Sequence, residues 1–295
     1  MSRPVVWITG AGGLIGNQLV RLAGVLAPDL SVVALTRAAL DLEDFAAVDR
    51  RFETERPALI LHCAGLTRSP ECQANPTRAR RLNVEATSHL ARLADTTVMV
   101  FFSTDLVFDG SRGDYVEMDD VNPLSVYAET KAEAERSVLA CPRHLVIRTS
   151  LNYGRSPTGD RAFNEDMLAT VRRGGRLRLF TDEFRCPIPA EVTARATWAI
   201  ARRMLGDAGP AAQERPRGIL HLAGAERLSR WAIGDLVART EPELRGRIEP
   251  ASLKEYRGAP RAPDTSLNCA RAQALLDFPL PRFGEWLLAS RPGPA

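Results

Sequence analysis

Val5-Val6-Trp7-Ile8-Thr9-Gly10-Ala11-Gly12-Gly13-Leu14-Ile15-Gly16 decides how the rest of the chain is read. Five strand-forming residues run into four glycines within seven positions, and an amphipathic segment begins at Gly13. Glycine tolerates positive φ and lets the backbone approach a ligand, and a helix that opens on such a turn points its first N–H groups and positive dipole end at the same place. Gly10, Gly12, Gly13, Leu14, Ile15 and Gly16 are therefore expected to cradle the pyrophosphate of a dinucleotide, provided that a β-α-β unit surrounds them. A tight turn with close helix packing is the other account of the same glycines.

The surrounding pattern supplies that unit. Strands at Val5–Thr9, Ser31–Leu35, Ala58–Cys63, Thr97–Ser103 and His144–Arg148 alternate with helices from Gly13 to about Ala27, from about Leu42, from about Pro76 to Ala94 and at Tyr127–Leu139. Strands separated by helical segments of roughly 12 to 18 residues predict right-handed crossovers and a doubly wound, parallel α/β sheet of the Rossmann type. Beyond Thr149 the spacing is less regular, with helices expected at Phe163–Arg173, Ala190–Leu205 and Ser229–Arg239 and strands near Leu177–Phe180 and Gly218–Leu222. The expected division is a dinucleotide-binding domain of residues 1–150 and 188–222 and a smaller α/β substrate lobe of residues 151–187 and 223–295. The polar segment 206–217 reads as a surface loop.

The end of the second strand bears on the cofactor. An acidic residue there would hold a ribose 2′-hydroxyl, but the strand ends in Thr36-Arg37, and Asp29 lies at its other end. Arg37 offers a fork for a 2′-phosphate, which favours NADP(H) over NAD(H). An ordinary exposed arginine is the alternative in a chain whose basic residues are nearly all arginine.

Tyr127 and Lys131 stand four residues apart on a predicted helix, and Lys131 is one of only two lysines. That spacing puts both on one face, where an ammonium would draw the phenol's pKa down towards neutrality and suit it to proton transfer. An exposed helix pair without chemistry would look the same. Ser103 and Thr104 end the strand before that helix, where parallel sheets bind ligands, so a hydroxyl can face the tyrosine across a carbonyl. Capping a following helix is the competing role for such a residue.

The rest of the composition narrows the classes. A formal net charge of +3, from 39 basic and 36 acidic residues spread along the 295, gives little reason to expect nucleic acid. No apolar run approaches a membrane span and the first residues show no signal-peptide core, so a cytoplasmic protein is expected. Five cysteines without paired spacing point to reduced thiols, and four histidines without ligand spacing predict no catalytic metal.

In motif order and spacing the chain resembles the extended short-chain dehydrogenase/reductases, and among them the dTDP-4-dehydrorhamnose reductase-like (RmlD-like) branch. The matching residues are Thr9-Gly10-x-x-Gly13-x-x-Gly16, His62-Cys63-Ala64-Gly65, Leu82-Asn83-Val84, Ser103 to Gly110, Asn122-Pro123-Leu124-x-x-Tyr127-x-x-x-Lys131 and Arg148-Thr149-Ser150. Later matches are Asp182 to Ile188, Leu228-Ser229-Arg230-Trp231 and Arg261 to Leu267. The resemblance implies hydride transfer from a nicotinamide to a keto group, most simply the 4-keto group of a nucleotide-linked deoxysugar. Tyr127 would give the proton, Lys131 would hold the nicotinamide ribose, and Thr104 would bond the carbonyl oxygen. It further implies that Thr36, Arg37, Asp41, Leu42, Cys63, Ala64, Gly65, Asn83 and Ser103 line the cofactor. Thr67, Arg68, Asp105, Val107, Phe108, Tyr153, Arg185 and Arg261 would meet a small-molecule substrate, in a monomer or homodimer. The chain departs from the branch at Leu151-Asn152-Tyr153, where a tryptophan is usual, and at Glu183 and Ile188, usually glutamine and threonine. An NADP-binding regulatory subunit such as that of methionine adenosyltransferase, and a nucleotide-sugar epimerase or dehydratase, share the same motifs.

Overall fold

A computed structural model describes residues 3–206 and 215–290. In the first half, strands β1 (Val5–Thr9), β2 (Ser31–Leu35), β3 (Leu59–His62), β4 (Val98–Thr104) and β5 (Leu145–Thr149) alternate with helices. These are α1 (Leu14–Leu26), α2 (Phe45–Glu55), α3 (Ser69–Ala74), α4 (Pro76–Arg80), α5 (Ala86–Leu93) and α6 (Val126–Leu139). The second half adds β6 (Asn152–Tyr153), α7 (Phe163–Arg172), β7 (Leu177–Phe180), β8 (Phe184–Arg185), β9 (Ile188–Pro189), α8 (Ala190–Leu205) and β10 (Gly218–Leu222). Then follow β11 (Leu228–Ser229), α9 (Arg230–Thr240), β12 (Ile248–Ala251), α10 (Ala270–Gln273) and α11 (Phe283–Ala289).

Six strands form one parallel sheet in the order β2-β1-β3-β4-β5-β10. The doubly wound α/β fold expected from the alternation is therefore present. Its strands are apolar on both faces because both are covered. Val6, Ile8, Leu59, Leu61, Val100 and Phe102 pack towards α1 and α8, and Trp7, Ile60, Met99 and Phe101 pack towards α2, α5 and α6. Each such buried side chain contributes about 1.5–3 kcal/mol relative to exposure. The chain leaves β1 for β2 on one side and returns to place β3 on the other. A crevice thus opens at the carboxyl ends of β1 and β3, the place where sheets of this type take ligands.

Local chemistry sets the boundaries. The second helix starts at Phe45, three residues later than expected, because Asp44 caps it by accepting from Ala47 N at 3.0 Å. Ser125 caps α6 in the same way, accepting from Ala128 N at 3.3 Å. The helix expected over Pro76–Ala94 is present as α4 and α5 joined by a π turn at Arg81–Glu85.

Past β5 the chain builds a second layer. β7 pairs with β12, β8 with β11 and β6 with β9, and Met167, Leu179, Ile233, Val237, Phe283 and Leu287 form a separate core. Of the segment 206–217 expected as a surface loop, residues 207–214 lie outside the described residues. Among the described residues no helix is long and apolar enough to cross a membrane.

Candidate active site

The glycine turn is shaped by close approach rather than by flexibility. Gly10 has φ 64°, and a Cβ on it would stand 2.7 Å from Ala64 N, so the turns after β1 and β3 are pressed together. Gly13 N donates to Gly10 O at 2.8 Å and begins α1 without a side-chain cap, which leaves the first N–H groups of that helix for another acceptor. Gly16 rests against the Gly10 carbonyl, whereas a Cβ on Gly12 would meet nothing nearer than Thr36 Cγ2 at 3.9 Å. The glycine loop, Thr36-Arg37 and Cys63-Ala64-Gly65 thus share one crevice. Leu14 is turned away, buried against Ala162 and Ala190, and Ile15 packs on the main core.

Arg37 is exposed and lies 3.7 Å from Asp41 and 3.5 Å from Glu43, loose pairs that hold it weakly. Asp41 also accepts from Glu43 N at 3.1 Å, and Leu42 packs against the second core.

Two buried networks fix the crevice walls, and the spacing of single residues gave no sign of the first. Thr9 and His62 end β1 and β3 in register, joined at 2.7 Å from Thr9 Oγ1 to His62 Nδ1; His62 Nε2 reaches Thr87 Oγ1 at 3.0 Å, and Ala64 N donates to Thr9 Oγ1. Burial, aided by the Lys131 charge, pushes the His62 imidazole down to about 3, so it is neutral. In the second network Asn83, on the π turn, accepts from Leu66 N at 2.7 Å and donates to Leu66 O and to Thr130 Oγ1, each at 3.0 Å. Its amide is committed to the protein, so its place is beneath the Cys63–Leu66 loop rather than on a cofactor.

Thr104 ends β4 and caps the turn that follows, accepting from Leu106 N and donating to Asp105 Oδ1, both at 3.2 Å. The Tyr127 phenol lies near enough to Thr104 for that hydroxyl to oppose the rise in its pKa. Lys131 is 4% exposed, with Nζ 3.9 Å above the centre of the Phe101 ring. The expected lowering of the phenol by the lysine does not occur here. Burial pushes Tyr127 well above its ordinary value, against the Thr104 hydroxyl and helped by Asp105 and Cys72. Burial also pulls Lys131 down to about 7, against Glu135, Cys63 and Cys72. Desolvation outweighs pairing for both groups, because burial penalises the phenolate and the ammonium alike. Ser103 Oγ, on the preceding residue of β4, is buried without a hydrogen-bond partner among the described residues.

Several residues expected to touch substrate are interior. Val107 and Phe108 are fully buried, and Phe108 stacks on Tyr115 at 4.1 Å, which leaves neither a free surface. Asp105 is buried and accepts from Ser150 at 2.8 Å and Thr265 at 2.9 Å. The Tyr153 ring packs among Phe163, Phe283 and Trp286 in the second core. Arg185 is buried against Glu183 at 2.9 Å, and Arg261, itself exposed, holds the same carboxylate at 2.7 Å. For Asp105 and Tyr153 the neighbours lie far along the chain, Thr265 for the first and Phe283 and Trp286 for the second, invisible in a local motif. Thr67 and Arg68 are exposed at the mouth, where Arg68 bonds the Asp160 carbonyl and Asp166 Oδ1, the latter at 3.3 Å.

Residues 4–290 match the model of the family described as RmlD substrate binding domain. The dTDP-4-dehydrorhamnose reductase of Sinorhizobium fredii is 30% identical over 94% of this chain and 93% of its own length. Methionine adenosyltransferase 2 subunit beta of Danio rerio is 29% identical over 92% of this chain and 84% of its own. A dTDP-4-dehydrorhamnose reductase from Bacillus anthracis, solved in complex with NADP, superposes with a TM-score of 0.81 at 20% identity, covering 98% of both chains. With a match from end to end and the parallel sheet, glycine turn and Thr-Tyr-Lys group described above, this chain belongs to the RmlD-like branch of the extended short-chain dehydrogenase/reductases, a family of oxidoreductases.

Proposed function

We propose that the protein reduces the keto group of a nucleotide-linked sugar, most simply the 4-keto group of a deoxysugar, with NADPH as hydride donor. The observation that carries this reading is the gathering of Thr104, Tyr127 and Lys131 at the carboxyl end of β4, beside the crevice formed by Gly10–Gly13 and Cys63–Gly65. When bound, the cofactor supplies the hydride. Tyr127 gives its proton to the developing alkoxide. Thr104 fixes the carbonyl oxygen, and Lys131, the cation of the site, anchors the ribose. The part of the chain made of residues 1–150 and 188–222 holds the dinucleotide, and residues 151–187 and 223–295 cover the substrate.

The preference for NADP(H) rests on Arg37. Its contacts with Asp41 and Glu43 are long and exposed, so a 2′-phosphate can replace them. The same fold holds NADP in the Bacillus anthracis reductase. The regulatory reading has the zebrafish subunit in its favour, but a binding module has no physical need for the Thr-Tyr-Lys group.

The test is NADPH oxidation by the purified protein over a panel of nucleotide-linked 4-keto sugars. Turnover of at least one is expected; tight NADPH binding with no turnover across the panel would move the conclusion to the regulatory reading. Replacing Arg37 with Asp should turn the NADPH/NADH preference towards NADH, and an unchanged ratio would remove its assigned role.

A further inference from the structure

The loop between β2 and α2 supplies acids where the end of β2 itself has none. Thr36 and Arg37 leave the strand, and the chain then turns through Asp41, Leu42 and Glu43 to Asp44, the cap of α2. The turn is held at three points. Ala39 N donates to Thr36 Oγ1 at 3.3 Å, Glu43 N to Asp41 Oδ1 at 3.1 Å, and Arg81 Nη2 to the Glu43 carbonyl at 3.0 Å. Arg81 is fixed in turn by Glu85 at 2.8 Å and by the Phe45 ring, whose centre lies 4.4 Å from its guanidinium carbon and which stacks on His89. Glu43 is thus set in place through its backbone, and its side chain is 24% exposed against 64% for that of Arg37.

Both carboxylates face one edge of the Arg37 guanidinium. Asp41 Oδ2 stands 3.7 Å from Nε, and Glu43 Oε2 stands 3.5 Å from Nη2. An arginine takes an oxyanion on such an edge with two parallel N–H groups, and here acids already face it. Asp41 is shared with the turn through Oδ1, whereas among the described residues the Glu43 carboxylate bonds Arg37 alone. One guanidinium between two carboxylates leaves the trio with a formal negative charge, and Arg81 is engaged by Glu85. A phosphate that comes to Arg37 must displace an acid and then stay beside it; a hydroxyl leaves both pairs as they are.

We infer that Glu43 is a specificity-determining residue for the cofactor: it occupies Arg37 in competition with the 2′-phosphate of NADP(H) and so narrows the margin by which NADPH is preferred over NADH. The inference rests on the reading of Arg37 as the partner of the 2′-phosphate and adds the residue that limits it. Arg37 gives the direction of the preference, and Glu43, six positions on, sets its size.

Calorimetric titration of the full-length protein with NADPH and with NADH tests this without recourse to turnover, in the parent, Glu43→Gln, Arg37→Met and the double variant. Glu43→Gln should bind NADPH about fivefold tighter, the scale of an exposed ion pair, and NADH within about twofold of the parent, which also shows that the variant is folded. In the Arg37→Met background the same replacement should gain no more than about twofold, because no guanidinium is left to release. Unchanged or weakened NADPH binding by Glu43→Gln, equal tightening of both cofactors, or the full gain in the absence of Arg37 overturns the role of Glu43. The reading beneath it fails by a different result, Arg37→Met binding NADPH as tightly as the parent does.

Discussion

At the scale of single residues, the environment of Tyr127 and Lys131 matters more than their spacing. Burial keeps the phenol protonated and takes the amine down to about 7. Tyr127→Phe should therefore lower turnover by about 10² to 10⁴ while leaving NADPH affinity within a factor of two or three; undiminished turnover would assign the proton to another group. The amine has a consequence for the cofactor-free protein. An unfolded lysine keeps its proton to about 10.5, whereas the folded one gives it up near 7, so folding releases a proton between these values and stability rises with pH across that window. The urea midpoint of the parent protein, measured relative to Lys131→Met, should climb between pH 7 and pH 10. A constant or falling difference would mean that the ammonium is better solvated or paired than its place over Phe101 implies.

At the scale of elements, the glycine turn was legible and the π turn was not. Positive φ and a backbone approach of 2.7 Å at Gly10 admit only one residue type, so the sequence has to display it. The extra residue at Arg81–Glu85 leaves the helical pattern of Pro76–Leu93 intact, and nothing local marks it. Its effect is to turn Asn83 inwards, where the amide holds both polar groups of Leu66 and the Thr130 hydroxyl. Asn83→Ala strands the Leu66 N–H and should cost about 1–3 kcal/mol for that group alone. Because the loop it holds also presents Cys63–Gly65, NADPH affinity should fall along with the denaturation midpoint. A stability loss with unaltered NADPH affinity would show that the loop keeps its shape without the asparagine.

At the scale of the whole molecule, the parallel sheet and the Thr104–Tyr127–Lys131 constellation followed from periodicity and motif, while the interior placement of Val107, Phe108, Tyr153, Asp105 and Arg185 did not. For Asp105 and Tyr153 the difference is one of range: the sheet depends on residues within a crossover, whereas Asp105 meets Thr265 and Tyr153 meets Phe283 and Trp286 far along the chain. The same contacts determine what joins the sheet to the second layer. One junction is exposed, Arg68 with Asp160 and Asp166 across the mouth. Another is buried, Asp105 receiving Ser150, Thr265 and, at 3.8 Å, Arg185. Exposed pairs contribute about 0–1 kcal/mol, whereas removing Asp105 leaves the Ser150 and Thr265 hydroxyls without their acceptor, at about 1–3 kcal/mol for each buried group. Arg68→Ala should therefore leave the denaturation midpoint almost unchanged, and Asp105→Ala should lower it strongly and depress turnover as well, since Thr104 loses the acceptor of its hydroxyl. Asp105→Asn keeps the shape and can still accept from Ser150 and Thr265, so it should fall between the two. If Arg68→Ala proves the more damaging, the layers are held at the mouth and not at the end of β4, and the role given to Asp105 in placing Thr104 falls with it.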